Sequence, residues 1–370
     1  MLVMLPSLRF AFGHGLVALA SAEWANLLGS GAWLFDQGST FGYRLDAGAI
    51  RGPAPDWALQ HEEVPLIRYQ AQNEGEIHEM SLKSWKSGTM EYTEYTYPGS
   101  IRLASSTGPT GQLRFAAQLA FESANVSLIR LSLENLGQQP TGSWFNITGS
   151  GVNISASEAG LGFALPKGSF PCFPEASYRG VRLIFLKSQL LDGHLQPLQW
   201  KVDVQNSSFF QATSEKVQLA GGKSLVAFAL ISHLQTLPAL PNALEANQSF
   251  SQASARWEGY LRTVLQRVRD PQMTWAAVKA VVTLMGNWRA VPGLPPGVLP
   301  SYVGYEGGFW SWDTYKQAVG MVHFAPQLAK DQLRLLVSAQ DRSGHIPDKV
   351  DFLLQEVKAF LIFLCSGTFF

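Results

Sequence analysis

The chain has 370 residues, 46% of them apolar and 15% charged, and its 28 basic and 28 acidic side chains give a formal net charge of zero. That length holds two ordinary domains, and the apolar share argues against wholesale disorder. No run of like charge stands out, which disfavours nucleic acid and anionic membrane surfaces as partners.

Residues 1–22 carry no acidic side chain; Arg9 precedes the stretch FAFGHGLVALASA, which ends in Ala20-Ser21-Ala22. A basic start, an apolar middle and a small-x-small end make this a candidate signal peptide. Five N-x-S/T sequons, at Asn125, Asn146, Asn153, Asn206 and Asn247, add to the expectation of a secretory route, to the endoplasmic reticulum lumen or beyond. No stretch of 18 or more apolar residues occurs, so no spanning helix is expected, and the apolar stretch 359–370 is too short to span.

Residues 30–237 read as a β-sandwich domain. Apolar and polar residues alternate over 128–134, 181–187, 200–204 and 225–231, and the tyrosines of EYTEYTY (91–97) suit a strand. Gly-, Ser- and Pro-rich turns such as SSTGPTGQ separate these runs, the pattern of antiparallel strands in a sandwich. Residues 238–350 begin with a Pro-rich linker and then change period. Trp257, Tyr260, Leu261, Val264, Leu265 and Val268 recur at helical spacing. The run 275–288 is apolar nearly all round and is expected to be a buried helix; two more helices are expected at 313–323 and 326–340. Residues 351–370 form an atypical tail.

Several familiar signatures fail. Gly222-Lys223-Ser224 lacks the upstream glycine of a phosphate-binding loop, because that position is Val217, and reads as a turn between strands. His61-Glu62-Glu63 lacks the second histidine of a metalloprotease helix; His323 and His345 read as structural or surface residues. Two cysteines, Cys172 and Cys365, make neither a disulfide framework nor a Cys-based zinc site. No cofactor and no metal are implied.

What remains is GGFWSWDTYKQ at 307–317, three aromatics around Asp313 behind a long Gly/Pro-rich loop. One reading makes Asp313 the N-cap of a helix starting at Thr314, with Trp310 and Trp312 packed in a core. The other makes it an acid. Apolar walls disfavour the charged form of a carboxyl, and a protonated carboxyl is what a glycosidic oxygen needs from a general acid. Lys316 and Gln317, one turn on, share its helix face and are placed to bond sugar hydroxyls, although a lysine cation there would favour the ionised form. A flat ring with a polar edge also suits the C–H face of a sugar.

Blocks in order along 256–350 resemble glycoside hydrolase family 63, above all its bacterial-type exo-acting α-glucosidases. They are Arg256-Trp257-Glu258-Gly259-Tyr260-Leu261, Ala277-Val278-Lys279-Ala280, Gly286-Asn287-Trp288-Arg289, Trp310-Ser311-Trp312-Asp313-Thr314-Tyr315-Lys316-Gln317-Ala318 and Met321-Val322-His323-Phe324-Ala325-Pro326. Weaker echoes lie in Gly31-Ala32-Trp33 and Ser232-His233-Leu234. The resemblance implies a β-sandwich followed by an (α/α)6 barrel, and inverting hydrolysis of terminal α-glucosidic bonds. It puts the general acid at Asp313, with Trp310, Trp312, Lys316, Gln317 and Trp288 lining a glucose pocket and Asp348 near the barrel mouth. The N-glycan processing glucosidase and mannosylglycerate or glucosylglycerate hydrolases are the neighbouring activities, and a sugar-binding module or a non-functional fragment is the alternative outside enzymes.

The resemblance also implies a general base, a glutamate far downstream of the acid. The chain runs only about 57 residues past Asp313, so an incomplete barrel, a missing base and an inactive product are expected. Glu356 is a poor substitute for that base; Asp341, Asp348 and Asp351 lie nearer the matched blocks.

Overall fold

The computed structural model describes residues 33–39, 41–46, 49–55, 64–73, 77–79, 95–96, 100–107, 113–157, 160–164, 180–233, 239–270, 273–290, 296–299 and 308–351. Residues 1–22, the block 61–63, Cys172, Cys365 and Glu356 lie outside them.

The N-terminal part is antiparallel β structure. The first sheet runs in the order Trp33–Leu34, Phe41–Asp46, Ala49–Pro55, Leu66–Asn73, Thr141–Ser150, Phe209–Ser214, Trp200–Gln205. The second runs Val152–Ser157, Gly160–Ala164, Val181–Leu191, Ser224–Ser232, Val126–Asn135, Leu113–Ser123, Ser100–Thr107, Tyr95–Thr96. Period-two alternation aims one face of each strand at the other sheet. Phe145 and Ile147 of the first sheet and Leu131, Leu133, Ala227 and Ala229 of the second meet in one apolar core. Gly222, at φ +71, sits in the turn before Ser224–Ser232, and its N–H donates to the Asn135 carbonyl. The Gly222-Lys223-Ser224 stretch is therefore a turn leading into a strand.

Not every strand alternates. Ser224–Ser232 is buried at every position after the first, because both its faces are covered. Leu225, Ala227, Ala229 and Ile231 face the other sheet. Val226, Phe228 and Leu230 face helix α1 (Ala243–Leu265), which lays Ala243, Ala246, Phe250 and Ala253 on the outside of the second sheet. The alanines allow close approach, and Phe250 packs on Phe228 with ring centroids 6.2 Å apart.

Helix α1 starts earlier than its strong periodicity at 257–268 announced, since its first half is mostly polar, with alanines and Phe250 on its buried face. A capping box fixes the start. Asn242 Oδ1 accepts from the N–H groups of Leu244 and Glu245, and the Asn242 N–H donates to Glu245 Oε2. Such a cap contributes roughly 1 kcal/mol. The helix stops at Leu265, so Val268 lies beyond it.

The second half of α1 joins α2 (Thr274–Met285), α3 (Ser311–Met321) and α4 (Pro326–Ser338). Trp257, Leu261, Val278, Val281, Val282, Met285, Ala318, Met321 and Ala329 form their common core. The expected all-round burial of 275–288 is corrected in two ways. The helix ends at Met285 and exposes Ala276, Ala280 and Thr283 along one side. Trp288 lies instead on the short strand Trp288–Arg289, paired with Gly297–Val298. Four helices pack together among the described residues; a closed barrel is not shown.

Candidate functional site

The WSWD block folds as a corner between a strand and a helix. Gly308–Trp310 pairs antiparallel with Lys349–Asp351, matching Gly308 with Asp351, Phe309 with Val350 and Trp310 with Lys349. Phe309 is fully buried with Leu299, Leu335, Leu336 and Val350, which anchors the strand from behind. The next N–H, of Ser311, donates to the Asp348 carbonyl at 2.7 Å, and the chain turns into α3. Asp351, assigned from sequence to the atypical tail, belongs to this ribbon.

The expected capping role of Asp313 is corrected. The helix starts at Ser311, its N-cap is Trp310 in extended conformation, and no side chain caps it. Asp313 sits inside the first turn, half-buried. It borders the buried stripe of Thr314, Ala318 and Met321 that holds α3 against its neighbours.

The two tryptophans differ. Trp310 is half-buried, with Lys349 Nζ 5.6 Å from its ring centroid. Trp312 is 63% exposed, contrary to the core reading of this residue. Lys316 Nζ stands 3.9 Å over the Trp312 ring, and Tyr315 meets the same ring edge-on at 5.6 Å. One face of Trp312 thus holds a cation, and the lysine is committed to the indole.

Gln317, one turn beyond Asp313, is held by a residue the sequence reading did not single out. Gln332 of α4, 1% exposed, donates to Gln317 Oε1 (3.1 Å) and to the Val298 carbonyl (2.7 Å), and accepts from the Val298 N–H (2.8 Å). All three bonds of this buried amide are short and internal. A glutamine in a helix of mixed polarity carries no sequence signal of such a clamp. Only the approach of three separate segments creates it.

Trp288 is linked to the corner through that clamp, because its strand partner is Val298. Its own ring faces the sandwich edge. Gly38, at φ +64, passes so close that an added Cβ would lie 3.6 Å from Trp288 Nε1 and 2.7 Å from Pro296 Cβ. The same seam carries two backbone bonds, Phe35 N–H to the Gly286 carbonyl and Ala290 N–H to the Ser39 carbonyl. Beside it Asp36, with no exposure, accepts two bonds from the Arg256 guanidinium (2.6 and 3.0 Å) and one from Trp257 Nε1 (3.0 Å). Burial works against the charge on Arg256, but the ion pair and hydrogen bonds with Asp36 outweigh it and hold the guanidinium pKa above its ordinary value.

The remaining carboxylates separate cleanly. Asp341 Oδ1 accepts from Ser343 Oγ (2.6 Å), Ser343 N–H and His345 N–H; these bonds, the Ser343 hydroxyl first, lower its pKa and tie a tight turn. That turn delivers Lys349–Asp351 to the corner. Asp348 is exposed and contributes its carbonyl to the corner. The structure thus brings Trp310, Trp312, Asp313, Lys316, Gln317 and Asp348 together on the α3 N-terminus. His323 and His345 are exposed, His323 Nδ1 lying 3.1 Å from Arg267 Nη1. Three polar atoms near this region, Thr314 Oγ1, Asn287 Oδ1 and Trp288 Nε1, are sealed from solvent without a hydrogen-bond partner among the described residues. Among the same residues no three His, Cys, Asp or Glu side chains cluster as for a metal. No helix there is long and apolar enough to cross a membrane.

No family model matches the chain. Solved structures similar to it include a protein designated a kojibiose phosphorylase, from the human microbiome, at 8% identity and a TM-score of 0.45. That likeness covers 83% of this chain, which spans only 43% of the phosphorylase. Slr1438 from Synechocystis sp. PCC 6803 matches at 11% identity and a TM-score of 0.30, over 55% of this chain and 95% of that one. A galactose mutarotase-related enzyme from Lactobacillus acidophilus matches at 9% identity and a TM-score of 0.25, over 56% of this chain and 99% of its own. Identity and TM-score are low in all three, and two of the three matched proteins carry the names of sugar-processing enzymes.

Proposed function

We propose that this chain carries the acid half of a glycoside hydrolase site acting on terminal α-glucosides, with Asp313 as the general acid. One observation carries the reading. The WSWD block forms a rigid corner that presents Asp313 on the first turn of a helix, beside an exposed tryptophan and the half-buried amide of Gln317. Buried Phe309, the Asp348 carbonyl and the Gln332 clamp hold that corner from three sides. The ordered resemblance of the blocks from Arg256 to Pro326 supports the substrate class. In this scheme Asp313 gives its proton to the glycosidic oxygen as the bond breaks. Inversion needs a second carboxylate to activate water on the opposite side of the ring, about 6.5–9.5 Å from the first. The resemblance places that base downstream of the matched blocks. The processing of glucosylated N-glycans is the neighbouring activity within the same chemistry.

A second reading has its own observation. Trp312, flanked by Tyr315 and Lys316, is a solvent-facing platform whether or not cleavage follows, so sugar binding without turnover fits the same corner. Calorimetric titration of glucose and an α-linked glucose disaccharide tests both. Binding is expected, weakened about tenfold in Trp312→Ala, the equivalent of about 1.4 kcal/mol, and retained in Asp313→Asn. With azide supplied as the nucleophile in place of water and its base, release of the aglycone from an aryl α-glucoside, lost in Asp313→Asn, selects the acid site; binding without that release selects the platform. No binding at millimolar sugar overturns both.

A further inference from the structure

The five sequons take no part in the chemistry above, and the fold sorts them. Asn146 is 4% exposed in the middle of the first sheet, between Leu66–Asn73 and Phe209–Ser214, and its Oδ1 accepts from the Thr213 hydroxyl at 2.7 Å. Asn125 is half-buried in a turn, and its carbonyl accepts from the His233 N–H. Asn247 is half-buried on α1, where the Ser249 hydroxyl of its sequon donates to Glu122.

Asn206 is different. It tops the hairpin between Trp200–Gln205 and Phe209–Ser214, and Trp200–Gln205 ends the strand order of the first sheet. Asn206 and Ser207 have φ of +53 and +54, and the Ser208 N–H closes the turn on the Gln205 carbonyl at 3.2 Å. Positive φ at both central residues marks the turn that follows strand twist, and asparagine tolerates it well. Asn206, Ser207 and Ser208 are all exposed. Asn153, also exposed, lies against the same turn, since the Ile154 N–H donates to the Ser207 carbonyl at 2.7 Å.

We propose that Asn206 is an N-glycan acceptor, and that Asn146, although its sequon is intact, is closed by the fold. In the transfer, Asn206 Nδ2 bonds to C1 of the reducing-end sugar of a polyprenyl-diphosphate-linked oligosaccharide. The bond from C1 to the diphosphate oxygen breaks, and one amide proton leaves with the diphosphate. The host's secretory machinery supplies both donor and transferase. Transfer precedes folding, so burial selects which modified chains become native. A glycan on Asn206 projects into solvent from an edge hairpin. One on Asn146 would have to fit where a side chain is almost fully enclosed. The proposal is independent of the glucosidase reading.

The test is expression of the full chain behind a cleavable secretory leader in a eukaryotic host. Peptide N-glycosidase treatment in 18O water, then peptide mapping of the soluble and the cell-retained protein, reads each site. Asn206 is expected to convert to 18O-aspartate in the soluble protein, with Asn146 unconverted there, and Asn206→Gln is expected to lose that glycan while remaining soluble. An unconverted Asn206 in both fractions, or a converted Asn146 in soluble protein, overturns the proposal.

Discussion

Two helices of this chain are set against β structure in opposite ways. Helix α1 lies along the second sheet on a continuous apolar strip, with Phe228 and Phe250 at its centre. Helix α3 meets a two-stranded ribbon end-on, held by one narrow buried stripe and by polar clamps. Burial of a side chain such as Phe228 contributes roughly 1.5–3 kcal/mol and leaves nothing for solvent to recognise. The α3 corner commits fewer apolar groups and turns Trp312, Tyr315 and Lys316 outward beside Asp313. On the proposed reading the sandwich side is scaffold, and the corner is where a ligand binds.

The sharpest way to break this contrast is to cut the seam that joins the two regions. Asp36→Ala leaves the half-buried Arg256 guanidinium without its carboxylate, and a loss of about 3–5 kcal/mol is expected in urea unfolding. A loss below about 1 kcal/mol would show that the regions do not depend on the pair. Gln332→Leu acts on the corner alone. It strands the Val298 amide groups and frees Gln317, so about 2–3 kcal/mol is expected, together with faster proteolysis near α3. Unchanged proteolysis would mean that the apolar stripe suffices.

The smallest effect tests the sandwich by pH. His233 stacks on Phe41 with ring centroids 3.5 Å apart, and both its ring nitrogens are sealed without partners among the described residues. Burial lowers its pKa to about 3. The unfolded chain, with an ordinary histidine, binds the proton more readily between that value and about 6.5. Stability is therefore full above about pH 6.5 and falls as pH drops, by about 2 kcal/mol between pH 7 and pH 5. In His233→Phe this part of the pH dependence should disappear from thermal melts; its persistence would assign the effect to other groups.

Much of this was legible in the residues. Alternation at 128–134 and 200–204 announced strands, because a half-buried sheet imposes period two. The periodic apolar face from Trp257 announced a buried helix stripe. Other features were not legible, for particular reasons. The first half of α1 hides behind alanines, whose weak hydrophobicity blurs the helical period. Trp288 looked helical because it extends an apolar run, yet its pairing with Val298 makes it a strand. Asp313 looked like an N-cap because its type favours that position, but the pairing of Gly308–Trp310 with Lys349–Asp351 starts the helix three residues earlier.

By itself, then, the sequence determined where β structure gives way to helix, and which short stretch gathers a carboxylate, aromatics and amides. Those properties follow from periodicity and side-chain chemistry, both local. Tertiary structure alone decided that Trp312 faces solvent while Trp310 is half-buried, and that Gln332 grips Gln317 and Val298. It alone set Asp36 as the partner of an arginine 220 positions away and separated an open sequon at Asn206 from a closed one at Asn146. Each of these depends on which distant segments arrive at the same place. Close packing settles that globally, and no window of residues encodes it.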